Sequence, residues 1–356
     1  MPRGSTALDL DSGRGVVLAR VNGILDEAYQ RLRGTGPEFD GWLSNHGPMA
    51  ADALLRLGAG DRVHGWVDRY LQRLHDAPQQ RWPIGDDEWR EVLGDPSRLG
   101  DWLAFFDRHL ADAPWEAVLA TWWPRLLPGS IASATHGLIR TGHAVRALRE
   151  EVTGPRTAEL AQALGYWAAR WQPVPGDVAP GGSLRAAAAL DGLPVLGVGG
   201  GVRTRLAALG AVPGWTGALR AAAPVPVAEV PAALDALVDA AVVRYGRWAP
   251  GSPVMLVHAA TAPRAAALVL PSVPANTWQA THAAAWTASA TISALFRPRA
   301  ELPDPPAGVG PDEVLAAVLR SGDEHVVKFA ETAAEAAARG VAPAAGAARR
   351  AAELIG

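Results

Sequence analysis

Through most of this chain apolar side chains recur every three or four residues, and strict alternation is scarce, so the pattern predicts helices and few strands. Asp312 to Leu319 is apolar at helical spacing behind Pro311. Gly322 interrupts it, Asp323 can cap a second helix, and Gly340 closes that helix beside Arg339. Pro48 to Leu57 reads as another, with Ser44 or Asn45 as its cap and Gly58 after it. Ile131 to Glu151, Thr157 to Arg170, Val230 to Arg244 and Trp278 to Phe296 carry the same spacing. The fold class that follows is all-α.

Residues 172–231 break the pattern. Proline, glycine and alanine dominate, with "VPGDVAPGGS" and "APVPVAEVP" at the two ends, which predicts an irregular connection carrying one or two short helices. Within it, "LPVLGVGGGVRTRLAALG" has the look of a dinucleotide-binding glycine loop. After Gly197 and Gly199, however, Val202 fills the third glycine position, and no strand-helix-strand frame surrounds it. A loop or helix cap is the better reading. With about half its residues apolar, a chain of 356 residues has ample core for one large helical domain spanning 1–356.

Composition narrows the chemistry. A net charge of −3 with scattered arginines and no basic run argues against nucleic acid. With no cysteine, a thiolate ligand, a cysteine nucleophile and disulfides are excluded, so any metal must be held by nitrogen and oxygen. The N-terminal "MPRGSTALDLDSGRG" lacks the pattern of a secretory signal, and the apolar stretch Ala186 to Val202 is interrupted by Asp191, glycines and Pro194. The expectation is a cytoplasmic protein without a membrane partner.

Lys328 is the only lysine in a chain that otherwise uses arginine. Arginine replaces lysine wherever charge alone is needed, whereas only the amine readily loses its proton to become a nucleophile or ligand. The bland alternative is an ion-pair ladder with Glu324, four residues before, and Glu331, three after, contributing about 0.3 kcal/mol per pair. The functional alternative needs the amine desolvated, so that it can add carbon dioxide to become a carbamate, or form a Schiff base with a ketone.

The nine histidines fall into two groups. His64, His75 and His109 sit among charged residues and read as surface positions; His75 and Asp76 alone do not make a metal-dependent phosphohydrolase. His46, His136, His143, His258, His282 and His325 lie in segments of small and apolar residues, where each imidazole must satisfy two nitrogens. Each taken singly is a core histidine bonded to backbone, or a metal ligand steadied by one further hydrogen bond. His136, Arg140 and His143 follow one helical face, His282 shares a stripe with Trp278 and Trp286, and His325 and Lys328 are neighbours at i and i+3.

Taken together, "SNHGPMAADAL", "THGLIRTGHAVRAL", "VHAATAP" and "DEHVVKFAE" resemble, in this order and at these separations, the questin oxidase family, from about Val21 to Glu335. Its fungal members include Baeyer–Villiger-type oxygenases of anthraquinone and aflatoxin pathways. The resemblance implies a helical non-haem iron oxygenase acting with dioxygen on a polycyclic aromatic ketone or hydroquinone. Its Fe(II) would be bound by His46, His136, His258, His325 and a carboxylated Lys328, leaving one position for dioxygen. His143 and His282 would then lie beside the metal or in the substrate pocket. Arg140 is the candidate to steer a phenolate or quinone oxygen, against a solvated place on the outer helix face. Whether NADPH or the substrate supplies reducing equivalents stays open, as does the oligomeric state. The rivals are a zinc hydrolase using the same carbamylated lysine, a metal-free Schiff-base lyase, and a non-catalytic protein binding an aromatic metabolite. Several tryptophans near the motifs, Trp42, Trp122, Trp123, Trp278 and Trp286, would suit stacking on a flat substrate, though core filling is the better reading for most.

Overall fold

The structure, a computed structural model, describes residues 23–197 and 199–356; the N-terminal segment read for a secretory signal, and Val198 of the glycine loop, lie outside them. Helices dominate. The one sheet among the described residues is an antiparallel hairpin, Glu38–Phe39 (β1) with Leu43–Ser44 (β2), Glu38 opposite Ser44. Before the connection come α1 (23–32), α2 (Gly47–Arg56), α3 (Val63–Leu71), α4 (Trp89–Val92), α5 (Leu99–Asp112), α6 (Trp115–Leu126), α7 (His136–Glu150) and α8 (Gly154–Arg170). The connection itself carries α9 (Ala186–Asp191), α10 (Val202–Leu209) and α11 (Trp215–Arg220). After it follow α12 (Val230–Trp248), α13 (Pro253–Leu256), α14 (His258–Val269), α15 (Trp278–Phe296), α16 (Pro311–Ser321), α17 (Glu324–Ala338) and α18 (Ala344–Ile355).

The all-α expectation holds, and α15 has the bounds its periodicity predicts. Several boundaries differ, and α8 begins three residues early, at Gly154. Helix α12 runs on to Trp248, and α7 starts at His136, five residues later than Ile131. The delay has a backbone cause: Ser133, Ala134 and Thr135 all take left-handed φ values of 45°, 54° and 73°. Three such non-glycine residues in a row cannot continue a right-handed helix.

The connection folds into three short helices, one more than expected. Gly201 is the N-cap of α10, and the described residues between α9 and Gly201 form no strand, so the glycine loop is a helix cap. The connection is tied to the main body where the Trp286 indole donates to the Leu219 carbonyl at 2.9 Å.

Helix α14 packs against α7, α12, α15 and α17. Residues Pro253–Ser272 are long and apolar enough to cross a membrane (mean hydropathy 1.4), but 72% of that window is buried inside the fold, as a core helix requires. Pro263 lies inside α14 and, lacking an N–H, leaves the Ala259 carbonyl four residues back without its helical donor. Ser289 Oγ on α15 donates to that carbonyl at 2.7 Å, so the buried acceptor is satisfied from a neighbouring helix.

Two glycines let α7 sit close to its neighbours. A Cβ on Gly142 would stand 2.7 Å from Ala265 Cα on α14, and one on Gly137 would stand 2.6 Å from Trp167 on α8. Helix-interior glycine costs about 1 kcal/mol relative to alanine, and here close helix approach is the return. This approach brings His136 and His258 to one place.

Candidate metal centre

The "SNHG" motif folds locally around His46. Ser44 Oγ bonds Tyr166 Oη at 2.6 Å, and the Asn45 amide donates to the Gly36 carbonyl at 2.9 Å while its oxygen accepts from the Gly47 N–H at 2.9 Å. At Gly47 a Cβ would lie 2.7 Å from the tip of the Leu32 side chain of α1, which would have to move aside. The N-cap of α2 is therefore His46 itself, in place of Ser44 or Asn45, and its backbone N–H donates to Tyr70 Oη at 2.8 Å.

His136 opens α7 directly after the left-handed turn, and its Nδ1 bonds the carbonyl of Ser133 inside that turn. His258 opens α14, set off from α13 by Val257, with Nδ1 3.0 Å from the Met255 carbonyl. His325 lies in the first turn of α17, with Nδ1 3.1 Å from Asp323 Oδ1, the carboxylate that also caps the helix by accepting from the His325 N–H at 2.7 Å.

Four distant segments thus converge. His136 Nε2 lies 2.6 Å from His46 Nε2 and 3.0 Å from His258 Nε2. His325 stands edge-on to His46, ring centres 4.4 Å apart, and 5.6 Å from His258. One nitrogen each from His46, His136 and His325 falls within 4.8 Å of the others.

The partners of the outer nitrogens decide the protonation pattern. A carbonyl only accepts, so His136 and His258 carry their protons on Nδ1 and present bare Nε2 lone pairs to each other. The Asp323 carboxylate imposes the same on His325. Two acceptor lone pairs 3.0 Å apart repel unless a cation lies between them, and neighbouring nitrogen ligands on one metal ion stand roughly 3 Å apart. Burial first, then the neighbouring Lys328 amine and the other imidazoles, holds His46 and His136 well below the usual imidazole range. For His258, burial, then His136 and Lys328, does the same. His46 Nδ1 has no hydrogen-bond partner, and Glu324 Oε1 lies 3.8 Å from it.

Lys328 is 1% exposed, and its Nζ has no hydrogen-bond partner. Burial pushes its amine down to about 8 against the opposing pull of Glu324 and Asp323. The ion-pair ladder does not form. Glu324 pairs with Arg73 at 3.3 Å, and Glu331 accepts from Arg146 and Arg264.

Other candidates lie elsewhere. Arg140 is neither solvated nor free: it is 1% exposed and grips Glu159 with two bonds of 2.6 and 2.8 Å and Gln162 with a third of 2.9 Å. Only its Nη1 lacks a partner. His143 donates to Asp52 at 2.9 Å inside a buried ionic network. His282 is buried on α15 and shares no hydrogen bond or ring contact with the four imidazoles. His75 is exposed and His64 and His109 are partly so, as their charged surroundings predict. Trp122, Trp123 and Trp286 are core, the last two with their indole N–H groups satisfied at 2.9 Å, while Trp42 is 66% exposed at the hairpin turn.

Features that the sequence reading missed include the left-handed turn, which no glycine announces, and the pairing of Glu324 with Arg73. No curated protein matches the chain. A family model described as questin oxidase-like matches residues 43–175, which carry His46 and His136 and end where the connection begins. His258, His325 and Lys328 lie beyond that span and meet the first two histidines in space. Over residues 43–175 the chain is similar to the questin oxidase-like family.

Proposed function

We propose that the protein is a non-haem iron(II) oxygenase acting with dioxygen on a polycyclic aromatic ketone or anthraquinone-like polyketide. Its metal would be held by His46, His136, His258 and His325, with Lys328 as a carbamate. The reading is supported by the family match, and the observation that carries it is the pair of Nε2 lone pairs of His136 and His258 facing each other at 3.0 Å. Iron, when bound, would supply the activation of triplet dioxygen that organic side chains alone cannot provide.

The chain's own residues do the rest. The Ser133 and Met255 carbonyls and the Asp323 carboxylate fix the tautomers and orient three rings. Neutral imidazoles bring no charge of their own to a dication, so an anionic donor is wanted. Lys328 is placed to become one: its neutral amine adds carbon dioxide, an N–C bond forms, and one proton is released. Arginine cannot do this at accessible pH. Burial of the cluster excludes bulk water from the same atoms.

The test is metal analysis and oxygen uptake on anaerobically purified protein. One iron per chain, loading that depends on bicarbonate, and oxygen uptake with an anthraquinone-type hydroquinone are expected. Loading with 13C-bicarbonate should give a carbamate carbon resonance that Lys328→Met lacks. Zinc with activity in the absence of oxygen would make it the hydrolase, and a protein that binds the aromatic ligand but no metal would sink the reading.

A further inference from the structure

Below the imidazole cluster lies a second buried layer, and it is built from the same four helices. Asp52 on α2, Arg264 on α14 and Glu331 on α17 each stand six residues beyond His46, His258 and His325 respectively. That is about 9 Å along a helix axis. Helix α7 contributes Arg146, ten residues beyond His136. Its long side chain links two of the others: Nε donates to Asp52 Oδ2 at 3.0 Å, and Nη1 donates to Glu331 Oε1. Arg264 Nη2 donates to the same Glu331 oxygen at 2.9 Å, and its Nε reaches Glu335 at the rim at 2.7 Å. His143 closes the α7 side against Asp52. Asp52, Arg146, Arg264 and Glu331 are all buried.

Two carboxylates face two guanidiniums, so the four charges balance without any metal. Buried ion pairs of this sort are poor sources of net stability, because desolvation offsets most of the attraction. Their attested use is to specify register. Register needs specifying here, because the faces that meet are smooth: Ala260 and Ala266 on α14, and Ala330 and Ala333 on α17, are fully buried. Alanine surfaces interlock weakly, and a slip of one residue moves a helix by 1.5 Å and turns it by 100°. Either displacement would take an imidazole away from its partners.

We propose that Asp52, Arg146, Arg264 and Glu331 are positioning residues that set the register of the four histidine-bearing helices, so that the imidazole cradle is assembled before metal arrives. The proposal rests on the metal reading above. The layer folds with the apo chain and transmits its geometry over about one and two-thirds turns of α2, α14 and α17 and nearly three turns of α7. Its loss loosens the cradle without touching any ligand.

The experiment is cobalt(II) titration of the full-length apo protein at low temperature, followed by calorimetry and by the visible absorption of the bound ion. Variants are Glu331→Gln and, should that one not fold, Arg264→Lys, which keeps the charge and alters the fork. Leu164→Ala on α8, a buried residue on a helix without a ligand, is the control for lost stability. Wild type and Leu164→Ala should bind one ion with the same affinity and spectrum. The layer variants should bind at least tenfold more weakly with an altered spectrum, since changes beyond the ligands typically cost ten- to a hundredfold. Unchanged affinity and spectrum in the layer variants, or equal weakening in Leu164→Ala, overturns the proposal. A wild type that takes up no cobalt overturns the metal reading instead, and the layer's purpose with it.

Discussion

Gly142→Ala sets two effects of known sign against each other at the α7–α14 crossing. Replacing a helix-interior glycine by alanine ordinarily stabilises by about 1 kcal/mol. Here the new Cβ would stand 2.7 Å from both Ala265 Cα and Ala265 Cβ, and 2.8 Å from the Ala265 carbonyl oxygen. Ordinary contact lies near 3.5–4 Å, so the helices must part by roughly 1 Å, and no flexible tip is available to yield in their place. Overpacking against rigid neighbours costs about 1–3 kcal/mol, which outweighs the propensity gain and leaves a net loss of roughly 1–2 kcal/mol. The displacement also acts on function, since His136 and His258 sit on these two helices at 3.0 Å. The assay is thermal and urea unfolding beside metal content, with Gly217→Ala as the opposite case, because a Cβ there meets nothing within 4 Å. Gly142→Ala should be less stable and bind metal more weakly, while Gly217→Ala should match or exceed wild type. Equal stability and equal metal content in the two variants would refute the reasoning.

Lys328→Met removes a buried amine without a partner, so the chelated protein should gain roughly 1–3 kcal/mol in urea unfolding while metal binding is lost; a less stable chelated variant would count against the burial argument. Ala134→Gly relieves a left-handed φ of 54° and should stabilise by about 0.5–1 kcal/mol, a gain that vanishes if the turn is not left-handed in solution. Burial alone would raise Asp52, but Arg146, His143 and Arg56 together hold its carboxyl well below the usual range. A depressed carboxylate contributes stability that is present above its unfolded value near ~4 and is lost as pH falls below it. Wild type should therefore lose stability more steeply than Asp52→Asn between pH 5 and 2, and parallel acid profiles would show that the pairing contributes nothing.

How far the sequence announces this structure depends on whether a feature is local. Helix α15 is legible to the residue because its small and apolar side chains carry the helical period unbroken. The Asp323 cap of α17 and the left-handed Gly322 before it, with φ 64°, are equally local and equally legible. Helix α14 escaped notice because Pro263 sits inside it, and the hydroxyl that satisfies the freed Ala259 carbonyl comes from Ser289, thirty residues away. Lys328 misleads for a related reason. Its flanking glutamates suggest a helical ladder, yet Glu331 turns to Arg146 and Arg264 from two other helices. Arg140 reads as a solvated or steering cation until Glu159 of α8 is seen to take its fork. In each case the deciding partner is remote in the chain, and periodicity carries no record of it.

The electrostatics of the cluster explain why a single lysine among thirty-two arginines belongs at this place. All four histidines sit at or next to the first residue of α2, α7, α14 and α17, so four helix N-termini surround the cluster, each equivalent to roughly half a positive charge. Such a field disfavours a cationic side chain, in keeping with the lowered affinity of His46 and His136 for protons, and it raises the need for an anionic donor beside any metal held there. Asp323 and Glu324 offset part of it, but Asp323 is engaged in capping α17 and Glu324 is shared with Arg73. A guanidinium buried in that field would keep its charge and have no partner. An amine can shed its proton, and after adding carbon dioxide it becomes an anion, the charge that converging N-termini favour. The field that makes arginine costly at position 328 is the same field that would stabilise the modified lysine.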